Sequence, residues 1–159
     1  AEEWAAGVVA NFARTPQSND TGQIRAVASG ECGIAIANTY YLARLAASED
    51  PQDQAVAAAV GIVFPDQAGN GTHVNISGAG LVKTAPNPEN AIRFLEYLAS
   101  DQAQSLFADG NHEYPVVSGI AATSTVVALG DFAEDSLNTS EFGVNQAAAL
   151  MVFDRAGWR

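Results

Sequence analysis

Apolar residues near the start of the chain recur every fourth position, at Trp4, Val8 and Phe12, with Val9 beside them. This spacing predicts one stripe on a helix, stopped by Thr15-Pro16. QSNDTG follows as a turn-rich link. Thr21 or Asp20 is placed to cap a short helix running through Ala28, with Gly30 to close it. GIAIA, from Gly33, is short, apolar and β-branched, the pattern of a buried strand. After it, Asn38 caps a helical run containing Leu42, Leu45 and Ala46. Pro51 opens a further helix over PQDQAVAAA. GIVFP, from Gly61 to Pro65, reads as a second short strand, and DQAGNG as a loop.

The second half continues the alternation. THVNISGAGLVKT, from Thr72 to Thr84, is extended but interrupted by small residues, as where a backbone crosses something closely. In APNPENAIRFLEYLAS, Asn87 is the cap, Pro88 takes the first helical position and Glu89 lies in the first turn. Ile92, Leu95, Leu98 and Ala99 form the face expected to be buried. Asp101 is expected to cap a helix holding Ala103, Leu106 and Phe107, ended by Gly110. EYPVV is extended, and STVVAL is apolar and β-branched. From Thr139, Ala147, Leu150, Met151 and Asp154 stand at helical spacing. Alternating strands and helices predict an α/β architecture with a largely parallel sheet.

Composition narrows the functions available. With 159 residues, 48% of them hydrophobic, the chain has enough for one domain with a core. Seven Lys+Arg against 18 Asp+Glu give a net charge of -11, which disfavours nucleic acid and anionic membrane as partners. No apolar run approaches the ~18 residues of a membrane span. Cys32 is the single cysteine, so it has no intramolecular disulfide partner, and its apolar surroundings suit a small buried residue. The opening AEEWAAGVVANFA reads as the interior of a helix, which predicts a piece of a longer protein.

Chemistry concentrates in IANTYYLARL. With Asn38 as cap, Thr39, Tyr40 and Tyr41 fill the first helical turn, at the carboxyl end of the expected strand. Open α/β sheets place ligands there, and the helix dipole favours an anion. A free phenol has a pKa of about 10 and needs help to ionise. A hard, highly charged cation removes the proton by coordination, and phenolate oxygen matches ferric iron better than zinc or copper(I). Two readings follow for the pair: phenolate ligands of Fe³⁺, or packed rings with exposed hydroxyls.

GECGIAIANTYY is similar to the core motif of the ferric-iron-binding periplasmic proteins of ABC transporters. GTHVNISGAG, APNPENAIRFLEYL, FADGNHEYPV and the terminal DRAGW resemble that family in the same order. The resemblance covers nearly the whole chain, yet only the second half of family members, which are about twice as long. It implies a type II periplasmic-binding-protein fold, with one near-complete lobe plus part of the other. Residues 1–70 and 121–159 would form the C-terminal lobe, and 71–120 would cross into the N-terminal lobe. It implies that Tyr40 and Tyr41 are iron ligands and that Asn38 touches the synergistic anion, such as carbonate, citrate or phosphate. Further ligands would lie in the half not represented here. The implied function is periplasmic capture of Fe³⁺ and delivery to an ABC permease, without catalysis. The alternative is a truncated, metal-free fragment that self-associates, as a homodimer or with the missing N-terminal half.

Other polar residues carry blander expectations. His73 suits a structural hydrogen bond and His112 a surface or inter-strand place. No HExxH, GxSxG, P-loop or GxGxxG pattern is present. The backbone of Ser77 to Gly80 is open enough to approach an anion, but a packing role is the simpler one. Ser118, Ser124 and Thr125 lack an adjacent base. Asp131, Glu134 and Asp135 suit a solvated face, and Tyr97 a helix boundary.

Overall fold

The computed structural model describes residues 1–17 and 19–158. Among them are eight helices: α1 (Glu2–Ala10), α2 (Asp20–Ala28), α3 (Thr39–Ala47), α4 (Pro51–Ala58), α5 (Pro88–Leu98), α6 (Asp101–Asn111), α7 (Ser124–Val127) and α8 (Ser140–Ala156). Local chemistry sets their ends. Asn19, not Thr21 or Asp20, caps α2, its Oδ1 accepting from the Gly22 N–H at 2.6 Å. Asp50 caps α4 through the Gln52 N–H at 2.8 Å, with Pro51 in the first turn. Ser100 rather than Asp101 caps α6, and the helix runs past Gly110 to Asn111. His112 closes it in a left-handed conformation, φ 58°.

Three packing groups organise these helices. In the first, α3 packs against α4, α7 and α2, and α2 against α4. Ile24, Ala26, Ala43, Leu45 and Val126 are buried there. The Arg25 guanidinium pairs with the Asp53 carboxylate across α2 and α4. In the second, α1 lies on α8 with Ala5 buried. Trp158 collects Trp4, Phe12 and Phe153 at ring separations of 6.2, 5.3 and 5.1 Å. Arg155 Nε donates to Glu2 at 2.7 Å beside it. The third pairs α5 with α6 and buries Ala103, Gln104 and Ala108. Gln104 fastens this pair to its surroundings: Nε2 donates to the Leu98 carbonyl and Oε1 accepts from the Val116 N–H, both at 2.9 Å.

The expected sheet is not formed among the described residues. GIAIA, GIVFP, THVNISGAGLVKT and EYPVV have no ladder, and STVV is helix α7. One isolated parallel bridge joins Thr72 to Glu134. The reason is physical. A strand is completed by a neighbour's N–H and C=O groups, and a continuous apolar run needs cover on both faces. Here Ile34, Ile36 and Val63 stand 87%, 69% and 86% exposed, so the described residues do not supply that cover. At STVV a cap overrides β-branched composition, Thr123 Oγ1 accepting from the Val126 N–H at 3.4 Å.

Around the bridge the chain is tied tightly. The Thr72 N–H donates to the Ala133 carbonyl at 2.8 Å and the Asp135 N–H to the Thr72 carbonyl at 2.9 Å. Gln67 clips the same place, Nε2 donating to the Ala133 carbonyl at 3.0 Å and Oε1 accepting from its N–H at 2.7 Å. Phe132 stacks on Phe64 at 4.4 Å and meets Tyr114 edge-on at 5.6 Å.

Candidate metal centre

The segment before α3 is extended through Asn38, at φ -72° and ψ 143°. Helical geometry then places Thr39, Tyr40 and Tyr41 in one turn. The two phenol rings lie 4.3 Å apart, tilted by 34°. One turn further, the Arg44 guanidinium stands 5.8 Å from the Tyr40 ring centroid and 5.6 Å from that of Tyr41. That is within cation–π range of both. Helical spacing, three and four residues on, makes Arg44 legible in hindsight.

The N-cap is unusual. Asn38 makes no side-chain bond to the first turn of its own helix. Its backbone N–H donates to Asp20 Oδ2 at 2.7 Å, and its Nδ2 donates to the same oxygen at 3.1 Å. Its Oδ1 accepts from Asn75 Nδ2 at 3.3 Å. No local pattern marks these partners, because Asp20 and Asn75 lie 18 and 37 residues away.

The electrostatics fit a proton-for-metal exchange. Tyr40 is pushed up to about 12, first by hydrogen bonding with the Tyr41 hydroxyl, then by burial and by the negative fields of Tyr41, Asp20 and Glu113. Without a cation that phenol stays neutral. A ferric ion held there would reverse the balance, since coordination would strip the proton and the surrounding acidic groups would favour the cation. Two adjacent hard oxygen donors match ferric iron in kind. They leave most of its coordination shell to other donors. Among the described residues no group of three or more His, Cys, Asp or Glu is placed to hold a metal ion.

The other singled-out residues fall elsewhere. His73 packs on Phe142 at 5.1 Å and shares a cavity of about 170 Å³ with Glu134 and Asp135. Asp131 instead acts on Tyr114, whose hydroxyl is held above its ordinary range by burial first and by that carboxylate second. Cys32 is half-buried and free. Among the described residues no helix is long and apolar enough to cross a membrane.

Residues 3–105 match the model of the bacterial extracellular solute-binding protein family, and the chain belongs to that family. It is 50% identical over 156 residues to iron uptake protein A1 of Synechocystis sp., an alignment covering 98% of this chain and 43% of that protein. A Trichodesmium protein solved in complex with iron and citrate superposes with a TM-score of 0.92 at 56% identity, over 99% of this chain and 50% of the other. The ferric binding protein from Campylobacter jejuni gives a TM-score of 0.95 at 37% identity, again over 99% and 50%. The chain thus spans about half the length of the relatives it matches, and it superposes on half of solved proteins that have the type II periplasmic-binding-protein fold. The family's description places its members outside the cytoplasm.

Proposed function

We propose that this chain provides a tyrosine pair for ferric iron in an extracytoplasmic solute-binding protein that delivers the metal to an ABC-type permease. Tyr40 and Tyr41 bind as phenolates. The contact of their rings in the first turn of α3 carries the reading. The names of the relatives, an iron uptake protein and ferric binding proteins, support it. A small anion such as carbonate, citrate or phosphate shares the metal's shell beside Asn38. The second hydrogen of Asn38 Nδ2 and the positive end of α3 suit it. Release of the cargo needs no covalent step, so the chain acts by binding and not by catalysis. Residues 1–70 and 121–159 make one lobe, and 71–120 belong mainly to the other.

Titration with ferric citrate tests the proposal. A phenolate–iron charge-transfer band develops in the unaltered chain, weakens in Tyr40→Phe and in Tyr41→Phe, and vanishes in the double variant. An undiminished titration in the double variant sinks the assignment.

A second reading is favoured by the uncovered apolar side chains of Ile34, Ile36 and Val63. In it the chain holds no metal tightly and pairs with another copy, or with the half of its relatives that it lacks. Light scattering on a dilution series separates the two. Association with no coloured ferric complex supports this reading, and a monodisperse monomer opposes it.

A further inference from the structure

An asparagine at an N-cap ordinarily turns its side-chain oxygen onto its own helix. Asn38 does not. Asp20 Oδ2 takes both its backbone N–H and its Nδ2, at 2.7 and 3.1 Å, and Asn75 Nδ2 reaches its Oδ1 at 3.3 Å. Both ends of the amide are thereby engaged by other segments. Asp20 is itself anchored. It opens α2, directly after the Asn19 cap, where the helix dipole stabilises an anionic carboxylate. Arg25 and Asp53 then fix α2 on α4, and α4 packs on α3. Two consequences follow for the tyrosine turn. The backbone entering α3 is held at the residue immediately before Thr39, so the direction of the first turn is fixed from α2. The Thr39 and Tyr40 N–H groups also have no partner among the described residues, and the side chain that would cap Tyr40 is drawn away.

We propose that Asp20 is a positioning residue of the Tyr40–Tyr41 site, acting through Asn38, and that Asn75 is its lesser counterpart from the 72–82 segment. The inference rests on the ferric reading above, for it names what holds the phenol pair in binding geometry. A carboxylate accepting two hydrogen bonds from one residue is a strong tether, because bonds to a charged acceptor exceed neutral ones. Asn75 makes one neutral bond at longer range, so its part is smaller. Asn75 also belongs to a different stretch of chain from α2 and α3. Its bond makes the tyrosine turn sensitive to where the 72–82 segment lies.

The experiment uses the full chain with ferric citrate as probe and two readouts. The first is the position and saturation of the charge-transfer band. The second, on the metal-free chain, is hydrogen exchange at the Asn38 N–H together with the Tyr40 and Tyr41 ring resonances. Asp20→Ala should weaken ferric binding by about tenfold, shift the band, lose Asn38 protection and move both ring signals, with the melting transition still cooperative. Asp20→Asn keeps an acceptor but loses the charge, and should recover part of each effect. It also stands in if the alanine variant fails to fold. Asn75→Ala should weaken binding by about threefold. Unchanged Asn38 exchange and ring signals in both Asp20 variants would overturn the inference, whether or not iron binds. So would an unchanged band and affinity in a chain that does bind iron. If the unaltered chain shows no band while Asp20→Ala still frees Asn38 and moves the rings, the ferric reading fails and the positioning role stands.

Discussion

The α2–α3–α4–α7 group and the α5–α6 pair treat their apolar residues differently. In the first, Leu45 and Ile24 are 4% and 6% exposed and Val126 is fully buried. In the second, only Ala103, Ala108 and the amide of Gln104 are buried, while Ile92, Phe94, Leu106 and Phe107 remain open. Helix α5 is the most strongly two-sided of the helices, with Ile92, Leu95 and Leu98 on one face, and none of its residues is buried. Amphipathicity reports what a helix is built to cover. Burial reports what the chain at hand provides. The tyrosines start α3, within the group that buries its own apolar side chains.

Replacing an apolar residue on each side breaks or sharpens this contrast. Leu45→Ala should cost about 2–5 kcal/mol, the usual penalty for a cavity in a packed interior. Ile92→Ala should stay within about 0.5 kcal/mol, as for an exposed position. Urea midpoints at constant slope measure both. Equal losses would mean that α5 is covered in solution.

The second prediction concerns protons. Metal displaces a proton from each phenol it coordinates, and Tyr40 begins neutral, with its pKa raised to about 12. Affinity is therefore lost as pH falls. The slope is about tenfold per pH unit for one phenol and about a hundredfold for two, below their pKa values. Ferric titrations between mildly acidic and neutral pH, corrected for the citrate, give the slope directly. A flat profile would exclude phenolate ligation.

A smaller effect is expected at the crossing near Thr72. Gly71 has φ +99°, and a methyl group there would lie 2.5 Å from the Glu134 backbone. Gly71→Ala should cost about 1–3 kcal/mol through strain. It should also speed exchange at the Thr72 and Asp135 amides, which are hydrogen-bonded across the bridge. Exchange unchanged at both would show that the crossing is looser than its hydrogen bonds suggest.

The contrast also explains which features were readable in the sequence. The helices at Thr39, Pro88 and Ser140 follow from periodicity and, at Pro88, from a proline in the first turn, because these signals are local. Their cap residues Asn38, Asn87 and Thr139 make no side-chain bond to the helix, so the expected caps do not form. Two caps fell one residue earlier than the strongest acidic candidate, at Asn19 and Ser100. In each case the acidic residue lies just inside the helix, where it suits the dipole equally well. The strands are not formed for the opposite reason: apolar runs state a need for partners, and the described residues do not provide them. STVV misled because β-branched composition is weaker than a threonine cap. At the site, the tyrosine pair and its helix start were visible as neighbours in sequence. The Asp20–Asn38–Asn75 tie was not, since no periodicity links residues so far apart.

The central claim is that both phenols become iron-bound phenolates, and resonance Raman spectroscopy of the ferric-loaded chain tests it most directly. Excitation within the charge-transfer band should enhance tyrosinate ring vibrations. Each single phenylalanine variant should reduce them, and Tyr40→Phe with Tyr41→Phe should remove them. A chain that binds ferric iron stoichiometrically yet shows no tyrosinate modes would contradict the account, because the metal would then be held by other donors.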